Sequence, residues 1–301
     1  MTKKLIKIIF YTFFFAELAS LYSCKNDNPI VNPIDTNDYR VTAIDIGPSW
    51  SPDGNSIAYG VSNSIDGNKI QAIDTNSLNK RIIAPVFGNT ISWSHDGQWL
   101  LFERDGTIFK KRVGGDSATV QLTFRGSSFY PAWSRDDQWI AFDCNFESPT
   151  GGYFIWKMKA DGSEQKRIIG TDTSGSVRQP DWFPDGIRLL VSRYVGHGNP
   201  EIAIIDTAGN SISVLTNDRD FDDGAKISFD GMYITWYKYL NVNRIYVMKV
   251  DGTDRQQICF NCGHPNWSPD GKMITFTNET FNDGRIWVMN KDGSNRKKIS
   301  F

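Results

Sequence analysis

The sequence is poor in the residues on which enzymatic and metal chemistry most often rest. Its 301 residues contain only three histidines, His95, His197 and His264, and only four cysteines, too few for a disulfide scaffold, and no second Cys-x-x-Cys joins Cys259 and Cys262 to complete a zinc site. No Gly-x-Ser-x-Gly nucleophile elbow occurs, and none of the Ser-His-Asp options goes beyond His197 or His264 as base. Lys and Arg number 33 against 34 Asp and Glu, a net charge of -1, so there is no basic field able to neutralise a run of phosphates and nucleic acid is not an expected partner. Nor is a retained membrane span expected: the N-terminal apolar stretch Ile8–Ala16 has nine residues, where a span needs roughly 20. What the chain does hold is rings and turn formers, with 10 Trp, 11 Tyr, 19 Phe and 26 Gly. That combination points to many short strands joined by tight turns.

Residues 1–23 read as a leader rather than as fold. Lys3, Lys4 and Lys7 precede the apolar stretch, and Leu21-Tyr22-Ser23-Cys24 follows it, an n-region, h-region and cleavage site in order. Leu three positions before Cys, with a small Ser directly before it, resembles the lipobox of bacterial lipoproteins. The resemblance implies acylation of Cys24, with residues 24–39 as a polar tether. Without the leader the net charge is -3, which gives no electrostatic reason to lie on anionic lipid, so the lipid alone is expected to hold the protein at the membrane.

The rest is a repeat. Trp50-Ser51-Pro52-Asp53-Gly54 returns as Trp93-Ser94-His95-Asp96-Gly97, Trp133-Ser134-Arg135-Asp136-Asp137, Trp182-Phe183-Pro184-Asp185-Gly186, Ile227-Ser228-Phe229-Asp230-Gly231 and Trp267-Ser268-Pro269-Asp270-Gly271, at intervals of 43, 40, 49, 45 and 40 residues. After each turn comes a strand such as Ile57-Ala58-Tyr59 or Ile274-Thr275-Phe276, then a variable loop, and then a third strand such as Arg285-Ile286-Trp287-Val288-Met289. An Asp-Gly turn and a short fourth strand follow. Four antiparallel strands per repeat of this length make a propeller blade. The motif with its Ile-Trp-Val-Met-Asn-x-Asp-Gly continuation resembles the TolB-type six-bladed β-propeller over about residues 46–301. The resemblance implies an all-β fold of six four-stranded blades, and a family found in interaction proteins, in lipoproteins and beside peptidase domains. The α/β domain that precedes the propeller in TolB has no room between Cys24 and Ile46. Arg296–Phe301 completes the sixth blade, leaving Arg40–Ile44 as a spare strand expected to cover its outer edge.

An element present in every blade is explained by the fold, so the row Asp53, Asp96, Asp136, Asp185, Asp230 and Asp270 is read as turn carboxylates accepting backbone N–H groups two residues on. The motif tryptophans are read as inter-blade core. Function is sought where the rhythm breaks, on the face carrying the loops after second and fourth strands, taken as 143–152, 194–200, 237–243, 124–130, 171–179, 217–224 and 260–265. The candidate binding residues there are Arg125, Phe129, Tyr130, Arg178, Tyr194, His197, Arg219, Tyr237, Tyr239 and His264, types enriched at interface hot spots. Asp218, Asp220, Asp222 and Asp223 offer enough hard oxygen for calcium if their loop folds back, but lack the spacing of an EF-hand, and a solvated acidic turn is the simpler reading. Cys259 and Cys262, near His264, resemble half a zinc site; in an exported protein a local disulfide is simpler, and Cys144 on the same face can pair with either. The reading that follows is a monomeric, lipid-anchored, non-enzymatic propeller of the bacterial periplasm or outer membrane. It is expected to need no cofactor and no metal and to engage an envelope protein, peptide or glycan. A small hydrolase or lyase working through His197 or His264 is the alternative.

Overall fold

The computed structural model describes residues 43–301 apart from 64–66, 77, 116, 149–150, 169–174, 195–197, 219 and 280–283. The leader, Cys24, the tether, His197 and Arg219 therefore lie outside the described residues.

Twenty-four strands, β1 to β24, form six four-stranded antiparallel sheets, each built from consecutive strands in chain order, and among the described residues there is no helix. The first strands are β1 (Ala43–Trp50), β5 (Asn89–Trp93), β9 (Ser128–Trp133), β13 (Val177–Trp182), β17 (Phe221–Ile227) and β21 (Cys262–Trp267). They neighbour one another in cyclic order, with β21 returning to β1, and so line the axis of a six-bladed ring. The second strands β2 (Ser56–Asn63), β6 (Trp99–Arg104), β10 (Trp139–Cys144), β14 (Arg188–Tyr194), β18 (Tyr233–Tyr239) and β22 (Met273–Asn278) are the most deeply buried. Their apolar runs, such as Leu100-Leu101-Phe102, are covered on both faces because each sheet packs against the next.

The repeated motif performs two structural tasks. All six motif aspartates accept the backbone N–H two residues on, at 2.9 to 3.1 Å, and Ser51, Ser94, Ser134, Ser228 and Ser268 donate their hydroxyls to the same carboxylates. The motif tryptophan seals the joint between blades. Trp93 Nε1 donates to the Ser49 carbonyl of the blade before it at 3.1 Å, and Trp182 and Trp267 repeat this bond to Ala132 at 3.2 Å and Lys226 at 3.1 Å. Trp182 packs with Ala132, Ala141 and Ile155 of the third blade and Leu189 and Val191 of the fourth.

The ring closes differently from the sequence-based expectation. Residues 43 and 44 belong to β1, the innermost strand of the first blade, and do not cover the outer edge of the sixth. Closure comes from core and polar contacts: Trp50, Ile57 and Tyr59 pack with Ile286, Val288 and Ile299. The Asp45 N–H donates to the Gly284 carbonyl at 2.7 Å, and the buried Asp45 carboxylate meets Arg285 at 3.4 Å and the Ser300 hydroxyl.

Candidate functional site

Each first strand carries a register slip at the same place. The residue there has positive φ in all six blades: Gly47 at 61°, Thr90 at 48°, Tyr130 at 51°, Gln179 at 54°, Gly224 at 63° and His264 at 53°. A bulge re-aims the bulged side chain, and a left-handed backbone outside glycine costs roughly 1–3 kcal/mol, a strain retained where the surroundings over-determine it. Here it turns Tyr130, Gln179 and His264 toward the ring axis, where side chains of four blades meet. Gly224 shows how closely they pack, since a Cβ added there would lie 2.2 Å from Tyr237 Cε1 and 3.4 Å from Gln179 Oε1.

Two buried carboxylates organise this funnel. Asp143, on β10, is fully enclosed; its Oδ2 accepts from Arg178 Nε at 3.2 Å and from the Gln179 N–H at 3.1 Å, while its Oδ1 meets no donor among the described residues. The Arg178 guanidinium stands over three rings, Tyr153 at 4.2 Å, Tyr130 at 5.5 Å and Phe129 at 5.7 Å, a cation–π cage. Asp223, on β17, gathers the other half: its Oδ2 accepts from Gln179 Nε2 at 2.9 Å, Tyr237 OH at 3.2 Å and Tyr194 OH at 3.4 Å. The His264 ring lies 6.2 Å from that of Tyr237.

Burial sets the protonation of the site. Loss of hydration pushes Asp143 up to about 6, against the pull of Arg178 and the Gln179 N–H, and raises Asp223 as well. The Tyr130, Tyr194 and Tyr237 hydroxyls are raised by burial and then by the Asp223 charge, so they stay protonated as donors. His264 is reached by solvent yet hemmed in by the ring, and desolvation lowers its pKa, leaving a neutral imidazole at pH 7. Among the described residues no carboxylate pairs with it.

The opposite mouth of the ring is closed by the motif's own exceptions. The third motif position is Pro52, Pro184 and Pro269 in three blades and His95, Arg135 and Phe229 in the others. Those three converge: the Arg135 guanidinium lies 3.3 Å over the Phe229 ring and donates to its carbonyl at 3.0 Å, and the His95 ring stands 5.7 Å from Phe229. They line a cavity of about 120 Å³.

Of the residues singled out from the sequence, Phe129, Tyr130, Arg178, Tyr194, Tyr237 and His264 come together. All of them sit on strand ends rather than in loops, because β9, β13, β14, β18 and β21 run further than the repeat suggested. Arg125 instead stacks 5.4 Å from Phe146, and Tyr239 ends β18 at the rim, opposite Phe221 and Asn243. The four aspartates do not form one group. Residues 221–224 are strand, so Asp222 and Asp223 point to opposite faces, and Lys238 Nζ sits 2.6 Å from Asp218, 3.2 Å from Asp220 and 3.5 Å from Asp222. Cys259 and Cys262 are bonded, with Cα atoms 5.9 Å apart, and Cys144 is a buried free thiol. Asp143, Gln179 and Tyr153 complete the site, and the sequence signal for Gln179 is the column three places before each motif Trp, Gly47, Thr90, Tyr130, Gln179 and His264.

The fold and its axial funnel define a class, the six-bladed β-propellers of Trp-Ser-Pro-Asp-Gly repeat. Within it, residues 90–301 match the family model described as TolB beta propeller domain, and the chain belongs to that family. The first blade, 43–84, lies ahead of the matched region and is supplied by the structure. The chain is 24% identical over 230 residues to the uncharacterized peptidase YuxL of Bacillus subtilis (strain 168), covering 76% of this chain and 29% of that protein. It spans less than two thirds of the length of the curated relatives it matches. TolB from Acinetobacter baumannii superposes with a TM-score of 0.68 at 18% identity, over 85% of this chain and 62% of that one. Oligogalacturonate lyase in complex with manganese gives 0.59 at 13% identity, over 86% and 78%. At these identities the likeness of structure shows the fold alone.

Proposed function

We propose that this chain is a lipid-anchored, non-enzymatic binding propeller of the bacterial envelope, periplasmic or at the outer membrane, and that its funnel receives an exposed segment of a partner protein or peptide. One observation carries the reading: side chains of four successive blades converge at the irregular mouth of the ring, held by a strained backbone position that only Gly47 and Gly224 occupy without cost. Rigid tyrosines and an arginine around buried, hydrogen-bonded carboxylates are the composition of a recognition site. With Asp143 and Asp223 set against Arg178, the wall favours a basic segment. Membership of the TolB propeller family supports an interaction role. A hydrolase or lyase would work through His197, which lies outside the described residues, or through His264, which is neutral but has no orienting carboxylate among the described residues.

Two variants test the reading in cells. Cys24→Ala is expected to move the protein from the membrane to the soluble fraction, and Tyr237→Ala to weaken partner capture at least tenfold while leaving the anchored fraction unchanged. Undiminished capture by Tyr237→Ala, or turnover of a glycan lost in His264→Ala, would count against it.

A further inference from the structure

A second polar cluster lies between the fourth and fifth blades, on the face of β17 turned away from Asp223. Asp222, beside Asp223, turns toward the fourth blade and meets Glu201 on β15 (Pro200–Asp206) and Asp218 in the connection before β17. These three residues bring one carboxylate oxygen each to within 4.8 Å of one another. Opposed oxygens on a calcium ion are separated by about the same distance, twice a Ca–O length of about 2.4 Å. The spacing is therefore that of ligands around one hard cation, contributed by two blades.

Proximity of acidic groups is not by itself a site, and Lys238 already stands among them. Two further facts bear on the matter. First, Asp222 is 0% exposed, and its Oδ2 meets no donor among the described residues; Glu201 Oε2 is likewise shielded and without a donor. A buried polar atom left without a partner costs roughly 1–3 kcal/mol, more when charged, and native structures explain such atoms by a bound water or ion. Second, the charges do not balance. Among the described residues, Glu201, Asp218, Asp220 and Asp222 face one ammonium, Lys238, whose side chain is itself only 10% exposed, and the Arg255 guanidinium acts on Asp218.

We propose that Glu201, Asp218 and Asp222 form a calcium-type cation site bridging the fourth and fifth blades, with Lys238 as its displaceable resident cation. The donors are all oxygen, drawn from flexible carboxylates, which suits calcium better than the small, rigidly octahedral magnesium. Lys238 neutralises one charge in the absence of metal and swings aside when the ion enters. The inference is independent of the funnel, whose residues lie on the other face of β17.

Terbium provides the test, because it replaces calcium in oxygen sites and emits when an adjacent indole is excited. Trp236 Nε1 donates to Asp222 Oδ1 at 2.7 Å, placing the antenna at the proposed site. On the full chain, indole excitation is expected to give terbium emission that calcium competes away. Glu201→Gln, which leaves the Trp236 bond intact, is expected to weaken terbium binding at least tenfold, and Asp222→Asn to do the same. Lys238→Met, which removes the competing ammonium, is expected to tighten binding at least tenfold, and Trp236→Phe to abolish the emission. Absence of sensitised emission in both the wild type and Lys238→Met overturns the proposal. So does equal affinity in wild type and Glu201→Gln, whatever Lys238→Met does, because the ion is then held elsewhere.

Discussion

Replacing Arg178 by alanine is expected to destabilise the propeller by about 3–5 kcal/mol at pH 8, the cost of leaving a buried carboxylate without its cation. Asp143 is fully enclosed, and among the described residues Arg178 is the only cation within ion-pair distance. The loss should depend on pH with a definite sign. The folded pKa of Asp143 is about 6 with Arg178 in place, above the ordinary carboxylate value of 3.8. Removing the guanidinium takes away an influence that lowers it, so in the variant it stands higher still. An acid that binds its proton more readily folded than unfolded contributes stability as pH falls through that window and loses it as pH rises. The deficit is therefore greatest at pH 8 and shrinks toward pH 4. Urea denaturation of Arg178→Ala at pH 8, 6.5 and 5 measures it, and adding Asp143→Asn to the variant should recover most of the loss at pH 8. A deficit that stays constant across these pH values would mean that Arg178 acts by packing on Phe129, Tyr130 and Tyr153 alone.

Trp182→Ala should be about as costly, roughly 3–5 kcal/mol, for a different reason. It removes the indole that fills the joint between the third and fourth blades, together with the bond from Nε1 to the Ala132 carbonyl at 3.2 Å. Adjacent blades share no strand, so the joint depends on such side chains, and a cavity there cannot collapse without opening the ring. Met232→Ala is the matched control, since Met232 is 57% exposed and a surface change of this kind is usually within about 0.5 kcal/mol. For a domain of this size the expected difference in Tm is about 6–15 °C. Scanning calorimetry at one pH reads it, and similar Tm values for the two variants would deny the tryptophan its sealing role.

The fold was legible in the sequence because one motif does the same two structural tasks around the ring, with Phe183 in place of Ser in the fourth blade and Ile227 in place of Trp in the fifth. Ser and Asp lock the turn locally, and Trp marks the joint, so the repeat reports both the turn and the packing. The site was legible only in part. Phe129, Tyr130, Arg178, Tyr194, Tyr237 and His264 stood out as ring and cation types that break the rhythm. Asp143 did not, because it sits within the apolar second strand and was assigned to the loop beyond it. Gln179 was hidden by the bulge, since strict alternation does not anticipate a left-handed residue whose own side chain is re-aimed. The aspartates of 218–223 were grouped by proximity in sequence, whereas strand pleating sends Asp222 toward Lys238 and Asp223 into the funnel. Ring closure was misread because a strand beginning ahead of the first motif looked like an edge, although it is the innermost strand of the first blade.

That the irregular mouth of the ring is the working face is best tested by site-specific photo-crosslinking in cells. A photoreactive residue at position 264, at the funnel mouth, should trap a partner, and one at position 98, exposed on the regular Asp-Gly face, should trap none. Crosslinks formed from position 98 and not from position 264 would place recognition on the opposite face and contradict the account.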